Sequence, residues 1–440
     1  MSDDPRPQHG SQARRGPQDE GRTGTPGEAR PGWTGRRVEL TVGPVAHGGH
    51  CVARHEGRVV FVRHALPGER VVALVTEDRH RGYCRADAVE VLDPSPDRVD
   101  RPCPAAGPGA CGGCDWQHVA PEAQRRLKGD VVTEQFARLA GLDVSLDVEE
   151  LPGGPLRWRS RARFAVDRSG RPGLRPHRSR DVVVLQDCPI TVEPAVEAVL
   201  GRRWDGVGAV DVAVDSVGGV TTTTLDRRGH PQATKVVRAT GAAASGTRAE
   251  RKAWHRDWQV EGTGFWQVHP AAADALVGAV AGFAAVAPGE RVLDLYAGAG
   301  LFGGSLAAGV GPEGQVVCVE GDPGACAAAS DNLADLPQAE VWQGDVDAEG
   351  LAELLAELDG PPDVVVLDPP RSGAGREVSA VLADAGARAV VYVACDPASL
   401  ARDVAVFAEA GWRLTGLRAY DAFPMTAHVE CVALLEPPAR

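Results

Sequence analysis

From Glu290 onward the chain repeats one pattern, a short apolar run that stops at an acidic residue or a glycine and gives way to a helical stretch. The runs are ERVLDLYAG, GQVVCVEGD, AEVWQGD, PDVVVLDPP, RAVVYVACD and WRLTGLRAYD, and HVECVALLE closes the series. Alternation of apolar strands with helices predicts a parallel, doubly wound α/β sheet. Polar residues gathered at the carboxyl ends of such strands line a ligand crevice. No internal repeat is visible.

The preceding chain divides by composition. Residues 1–35 are rich in Pro, Gly, Arg and Gln and hold almost no aliphatic side chains, so they bury too little to offset ordering and read as a disordered tail. From Val38 short β-like runs follow (VELTVG, HCVARHEG, RVVFVRHA, ERVVALVTE), separated by glycine turns, and predict a small antiparallel barrel or sandwich over 36–93. A mixed α+β stretch covers 94–255, with a helix near 121–140 that puts Leu127, Val131, Phe136 and Leu139 on one face. The α/β part occupies 256–440.

Of the 440 residues, 47 are Lys or Arg and 60 are Asp or Glu, a net charge of −13. The charge is divided unevenly: residues 271–440 carry 8 basic against 25 acidic groups, residues 1–270 carry 39 against 35. That asymmetry suggests that the first part meets a polyanion. The chain opens without an apolar leader segment and holds no membrane-spanning run, so a cytoplasmic, membrane-free protein is expected. In a reducing compartment its ten cysteines point to metal binding, catalysis or burial rather than to disulfides. Cys103, Cys111 and Cys114 lie in CPAAGPGACGGC, which has almost nothing with which to build a core, and form a metal-site candidate.

Candidate chemistry sits at the ends of the α/β strands. DLYAGAGLFGG (294–304) places Gly298, Gly300 and Gly303 at a strand-to-helix turn, with Glu320 ending the next strand where it meets ribose hydroxyls. That pattern suits an NAD-dependent dehydrogenase as well as a methyltransferase. DPPR (368–371) aims Asp368 into the crevice, or is a stiff proline turn. In ACDPASLARD, Cys395 ends a strand, and Asp396 and Pro397 start a helix whose positive end lowers a thiol's pKa, which makes Cys395 a nucleophile candidate beside the plainer reading of a small buried side chain. Glu430 lies in the apolar HVECVALLE, as a desolvated base or as half of a salt bridge. RWRSRARF sets Arg157, Arg159, Arg161 and Arg163 on one strand face, an RNA-contact stripe or simply a solvated surface.

Together GFWQVHP (264–270), DLYAGAGLF, VEGD, DPPRSG, ACDPASLARD and HVECVALL resemble, in order, the RNA (uracil-5-)-methyltransferases, and the barrel looks like a TRAM domain. The resemblance implies a Rossmann-like class I methyltransferase domain that uses S-adenosylmethionine and acts on ribosomal or transfer RNA, as an expected monomer. It implies that Gln267, Tyr296, Glu320 and Asp368 contact S-adenosylmethionine, that Cys395 is the nucleophile and that Glu430 is the base. It also implies a [4Fe-4S] cluster held by Cys103, Cys111, Cys114 and, in QDCPI, Cys188. Two positions depart from the family pattern: His269 and Asp396 each stand where asparagine is common. Both bear on how the target base is held.

The implied chemistry makes sense of the residue types. Carbon 5 of uracil is too weak a nucleophile for direct methylation, so a thiolate adds to carbon 6 first and a base later removes the C5 proton. The target uridine must be unstacked for this. A non-catalytic RNA-binding protein with a degenerate methyltransferase domain is the main alternative, and a dehydrogenase the lesser one.

Overall fold

The computed structural model describes residues 32–80, 82–238 and 248–438. All but the last four residues of the expected tail lie outside these. The barrel comes first, as a six-stranded sheet in the order Arg37–Thr41, Arg70–Glu77, Tyr83–Asp93, Arg58–Arg63, His50–His55, Val45–Ala46. Alternation of buried and exposed residues along Arg37–Thr41 and Arg70–Glu77 fills the interior with Val38, Leu40, Val71, Ala73 and Val75. Contrary to the all-antiparallel expectation, Arg58–Arg63 and Tyr83–Asp93 pair in parallel, because the chain crosses through Arg70–Glu77 before returning.

A second, fully antiparallel sheet runs Val183–Val184, Pro172–Leu174, Arg161–Val166, Ala209–Val214, Val220–Leu225, Pro231–Arg238. The helix Glu193–Leu200 packs on it and shares a core with Trp158, Phe164 and Ile190. The expected 121–140 helix is α-helical over Pro121–Gln135 and turns into a π-helical segment, Phe136–Ala140, that ends at the left-handed Gly141. This helix and strand Val148–Glu150 dock on the C-terminal half, the strand joining the edge of its sheet.

That sheet has eight strands, in the order Ala339–Gln343, Gln315–Glu320, Arg291–Leu295, Val364–Leu367, Ala389–Ala394, Glu430–Glu436, Arg413–Asp421, Val148–Glu150. The first five are parallel, with helices on both faces. Val364–Val366 and Leu367 are wholly buried, as are Val390–Val393; each such side chain contributes roughly 1.5–3 kcal/mol of burial free energy. The closing strand is antiparallel to its neighbours, against the all-parallel expectation. Because it runs the other way, its first residue, Glu430, stands at the edge where the parallel strands end. No helix among the described residues is long and apolar enough to cross a membrane.

Candidate functional site

The carboxyl edge of the sheet is built from backward-pointing loops. Gly298 adopts φ +56°, and its N–H donates to Glu320 Oε2 at 2.8 Å, while Glu320 Oε1 accepts from Asp322 N at 2.8 Å. The acidic end of the second strand thereby fixes the glycine turn after the first. A β-carbon on Gly303 would collide with the Cys318 sulfur, so glycine is needed for the following helix to lie against the sheet. Asp294, wholly buried, accepts from Gly303 N at 2.7 Å through Oδ2 and leaves Oδ1 without a protein partner. Burial raises its carboxyl to about 7, and Glu320 adds to the rise. Tyr296 takes φ +59° and donates its hydroxyl to the Val346 carbonyl at 3.2 Å. Nearby, Leu295, Val319, Asp345, Val346 and Asp347 line a cavity of about 470 Å³.

At the next strand ends lie Asp368, Cys395 and Glu430; the two carboxylates act on the thiol, and Asp368 acts on Glu430. Cys395 follows strand Ala389–Ala394, and Ala394 is the register partner of Cys431, one residue beyond Glu430. Glu430 is 2% exposed, and its burial raises the carboxyl well above its usual range; Asp368 adds to the rise and the exposed Arg371 opposes it. Burial pushes Asp368 itself up to about 7. Cys395 corrects the expectation of a lowered pKa. Burial, then Glu430 and Asp368, push its thiol up to about 12, and Arg371 offsets this only in part. The helix expected after it is present as Pro397–Glu409, with Asp396 accepting from Ala398 N and Ser399 N. Gln267 is buried on the loop whose Val268 carbonyl accepts from Ser160 N and Oγ, both at 2.9 Å. His269 stacks on Trp158 at 5.8 Å, and its buried Nε2 has no protein partner.

The four cysteines outside this edge converge as well. Cys103, Cys111, Cys114 and Cys188 are all buried, and each of the other three raises the Cys114 thiol, which burial has already pushed to about 12. Polar hydrogens face the sulfurs: Gly113 N to Cys111 at 3.4 Å, Gln117 Nε2 to Cys114 at 3.3 Å, Thr191 Oγ1 to Cys188 at 3.2 Å. Among the described residues no group of three or more His, Cys, Asp or Glu is arranged to hold a metal ion. A single tetrahedral ion needs its thiolates about 2.3 Å from one centre.

The arginine stripe does not form as expected. The strand begins only at Arg161, and Arg157 has φ +55°. Arg157 pairs with Asp187 at 2.8 Å and donates to the Cys188 and Thr191 carbonyls, so it builds the Cys188 loop. Arg161 is spent on the carbonyls of Gly262 and Gly264, and Arg163 on Asp211. Buried carbonyls and carboxylates claimed these side chains, which the alternation of the sequence alone does not reveal.

Family models match at both ends: a TRAM domain over 33–89 and tRNA (uracil-5-)-methyltransferase over 361–437. An RNA methyltransferase of Streptomyces coelicolor, itself uncharacterized, is 46% identical over 92% of this chain and 94% of its own length. The 23S rRNA (uracil(1939)-C(5))-methyltransferase RlmD of Alkalilimnicola ehrlichii is 34% identical over 91% of this chain and 97% of its own. The chain belongs to the RNA (uracil-5-)-methyltransferase family. It is therefore an S-adenosylmethionine-dependent RNA-modifying enzyme, and the dehydrogenase and non-catalytic alternatives fall away. The fold of this methyltransferase also matches the tRNA (uracil-54, C5)-methyltransferase of Pyrococcus abyssi, solved with S-adenosyl-L-homocysteine, at TM-score 0.66 and 20% identity over 90% of this chain and all of that one.

Asp294 and Asp345 lie within the runs ERVLDLYAG and AEVWQGD, and the sequence by itself assigns neither a role. The signal for Asp294 was an ionisable residue inside an otherwise apolar strand, the same signal used for Glu430.

Proposed function

We propose that this enzyme methylates carbon 5 of a uridine in RNA through a covalent bond between Cys395 Sγ and carbon 6, with Glu430 as the base that removes the C5 proton. The observation that supports the reading most is the meeting of a thiol with two carboxylates at one sheet edge, where Glu430 and Asp368 raise the Cys395 thiol and Asp368 raises Glu430. A site with this surplus of acid favours a cation. S-adenosylmethionine, when bound, supplies an electrophilic methyl group on a positively charged sulfonium. Gln267, Tyr296, Glu320 and Asp368 are the residues assigned to hold it, with the Gly298 turn fixed by Glu320.

The chain's groups then divide the work. Cys395 gives up its proton to solvent water and its Sγ adds to C6, and the electron pair of the C5–C6 double bond moves onto C5 and makes it nucleophilic. Once C5 carries the methyl group, Glu430, deprotonated in its desolvated place, takes the C5 proton. The electrons of that C–H bond re-form the C5–C6 double bond and expel the Cys395 thiolate.

Cys103, Cys111, Cys114 and Cys188 are assigned as ligands of a [4Fe-4S] cluster. Four buried thiols, with hydrogen-bond donors on the sulfurs of Cys111, Cys114 and Cys188, suit cluster ligation. Bound there, the cluster would supply a cross-link between the 103–114 loop and the Cys188 loop.

Ribosomal RNA is the substrate we favour, on the strength of relatives such as the 34% identical RlmD. Mapping 5-methyluridine in RNA from cells with and without the gene tests this. Loss of one site in 23S rRNA is the expected result; loss confined to tRNA would overturn the ribosomal assignment.

A further inference from the structure

The turn that follows Val45–Ala46 in the barrel reaches the catalytic edge. His47 Nε2 lies 2.8 Å from Asp396 Oδ2. The other oxygen of the same carboxylate accepts from Ala398 N at 3.0 Å and from Ser399 N at 2.9 Å. Asp396, the residue after Cys395, thus caps the helix Pro397–Glu409 with one oxygen and holds the barrel with the other. The two side chains are 40% and 23% exposed, so the contact adds at most about 1 kcal/mol to stability. Its worth is in where it sits.

A second contact from the same turn reaches the other side of the site. The Gly49 carbonyl accepts from Trp116 Nε1 at 3.2 Å, and a β-carbon on Gly49 would lie 2.5 Å from the Ala427 Cβ. Ala427 precedes Glu430 by three residues. One barrel turn therefore touches the residue after the thiol and the segment that leads to the carboxylate.

We propose that His47 is a positioning residue for the methylation reaction. Through Asp396 Oδ2 it fixes the Cys395 backbone against Glu430 and ties the barrel to the nucleophile. This inference rests on the reading of Cys395 and Glu430 given above. A carboxylate at 396 makes His47 Nε2 the donor; an asparagine caps the helix as well, but presents an amide N–H₂ that His47 accepts only in its other tautomer.

The test is the single-turnover rate of covalent adduct formation with RNA carrying 5-fluorouridine, whose C5 fluorine blocks the final proton removal. His47→Ala and Asp396→Asn should each slow adduct formation about tenfold at saturating RNA. RNA affinity and Tm should not change. The double variant should be no slower than the slower single variant, and His47→Gln, which keeps a donor, should recover most of the rate. Unchanged rates, effects that multiply in the double variant, a loss confined to RNA affinity, or a rate loss that follows a fall in Tm would each overturn the inference. If the parent enzyme itself forms no adduct, the Cys395 reading falls; if it does and the variants match it, only the role of His47 falls.

Discussion

Cys395 is half-buried and the Cys103, Cys111, Cys114, Cys188 group is buried, but the larger difference between them is their company. Burial raises the thiols of Cys103, Cys111, Cys114 and Cys395 alike, Cys114 and Cys395 both to about 12. Around the four-cysteine group the neighbours are donors: a backbone N–H, an amide and a hydroxyl. Donors stabilise sulfur once it is a thiolate. Around Cys395 the neighbours are the carboxylates of Glu430, Asp368 and Asp396, with the exposed Arg371. That thiol stays protonated until substrate and methyl donor change the charge about it. Depth alone decides nothing about a cysteine's chemistry; the groups in contact with it do.

Replacement at either place should separate the two roles. Cys395→Ala should lower methylation by at least about 10⁴-fold while RNA affinity and the iron and sulfide content stay as in the parent. Cys111→Ser should do the reverse, lowering iron and acid-labile sulfide in anaerobically purified protein and lowering Tm by about 10 °C through the lost cross-link. Stoichiometric zinc without sulfide in the parent protein would break the cluster half of the comparison.

Next in size is the pH dependence. For the free enzyme the Asp368–Glu430 pair must lose a proton before Glu430 can act as a base, and Asp368 sits at about 7. The kcat/KM for RNA should therefore rise at least roughly tenfold per pH unit below pH 7. A flat profile from pH 6 to 8 would remove the carboxylate pair from the rate.

Arg161 gives a smaller effect, one that measures folding. Arg161→Gln leaves the Gly262 and Gly264 carbonyls without their donor, and should lower stability by about 1–3 kcal/mol. The salt dependence of RNA binding should not change.

The smallest effect concerns Asp294. Its folded-state carboxyl is raised to about 7 against roughly 3.9 unfolded. Between those values the folded protein holds the extra proton, so stability falls as pH rises through the window. Asp294→Asn keeps an acceptor for Gly303 N and removes the titration. The Tm difference, variant minus parent, should grow by a few degrees from pH 4 to pH 7, and a constant difference would show that Asp294 carries no penalty.

The α/β half was legible because its signals are local. Val364–Leu367 and Ala389–Ala394 are buried on both faces and read as unbroken apolar runs, and Asp396–Pro397 announces the helix that they begin. Strand direction was not legible. HVECVALLE has the same apolar character whether it runs up or down the sheet, and only the pairing of Val390 with Leu435 and of Ala394 with Cys431 makes it antiparallel and sets Glu430 at the catalytic edge. The four-cysteine grouping came from family resemblance, since Cys188 lies 74 residues from Cys114 in sequence and nothing local links them. The arginines between 157 and 163 misled for a related reason. The partners of Arg157, Arg163 and Arg161, namely Asp187, Asp211 and the carbonyls near Gly264, are distant in sequence, so these three charges looked free when they were already paired, while Arg159 donates to the nearby Arg161 carbonyl.

The division of labour between thiol and carboxylate is tested most directly by incubating Glu430→Gln with substrate RNA and S-adenosylmethionine labelled in the methyl group. The variant keeps Cys395 and blocks only removal of the C5 proton. RNA should remain attached to the protein through Cys395 as a band that survives denaturing electrophoresis and carries the label, and Cys395→Ala in the same background should abolish it. A folded, RNA-binding Glu430→Gln protein that is inactive and forms no such band would contradict Glu430 as the base that ends the reaction.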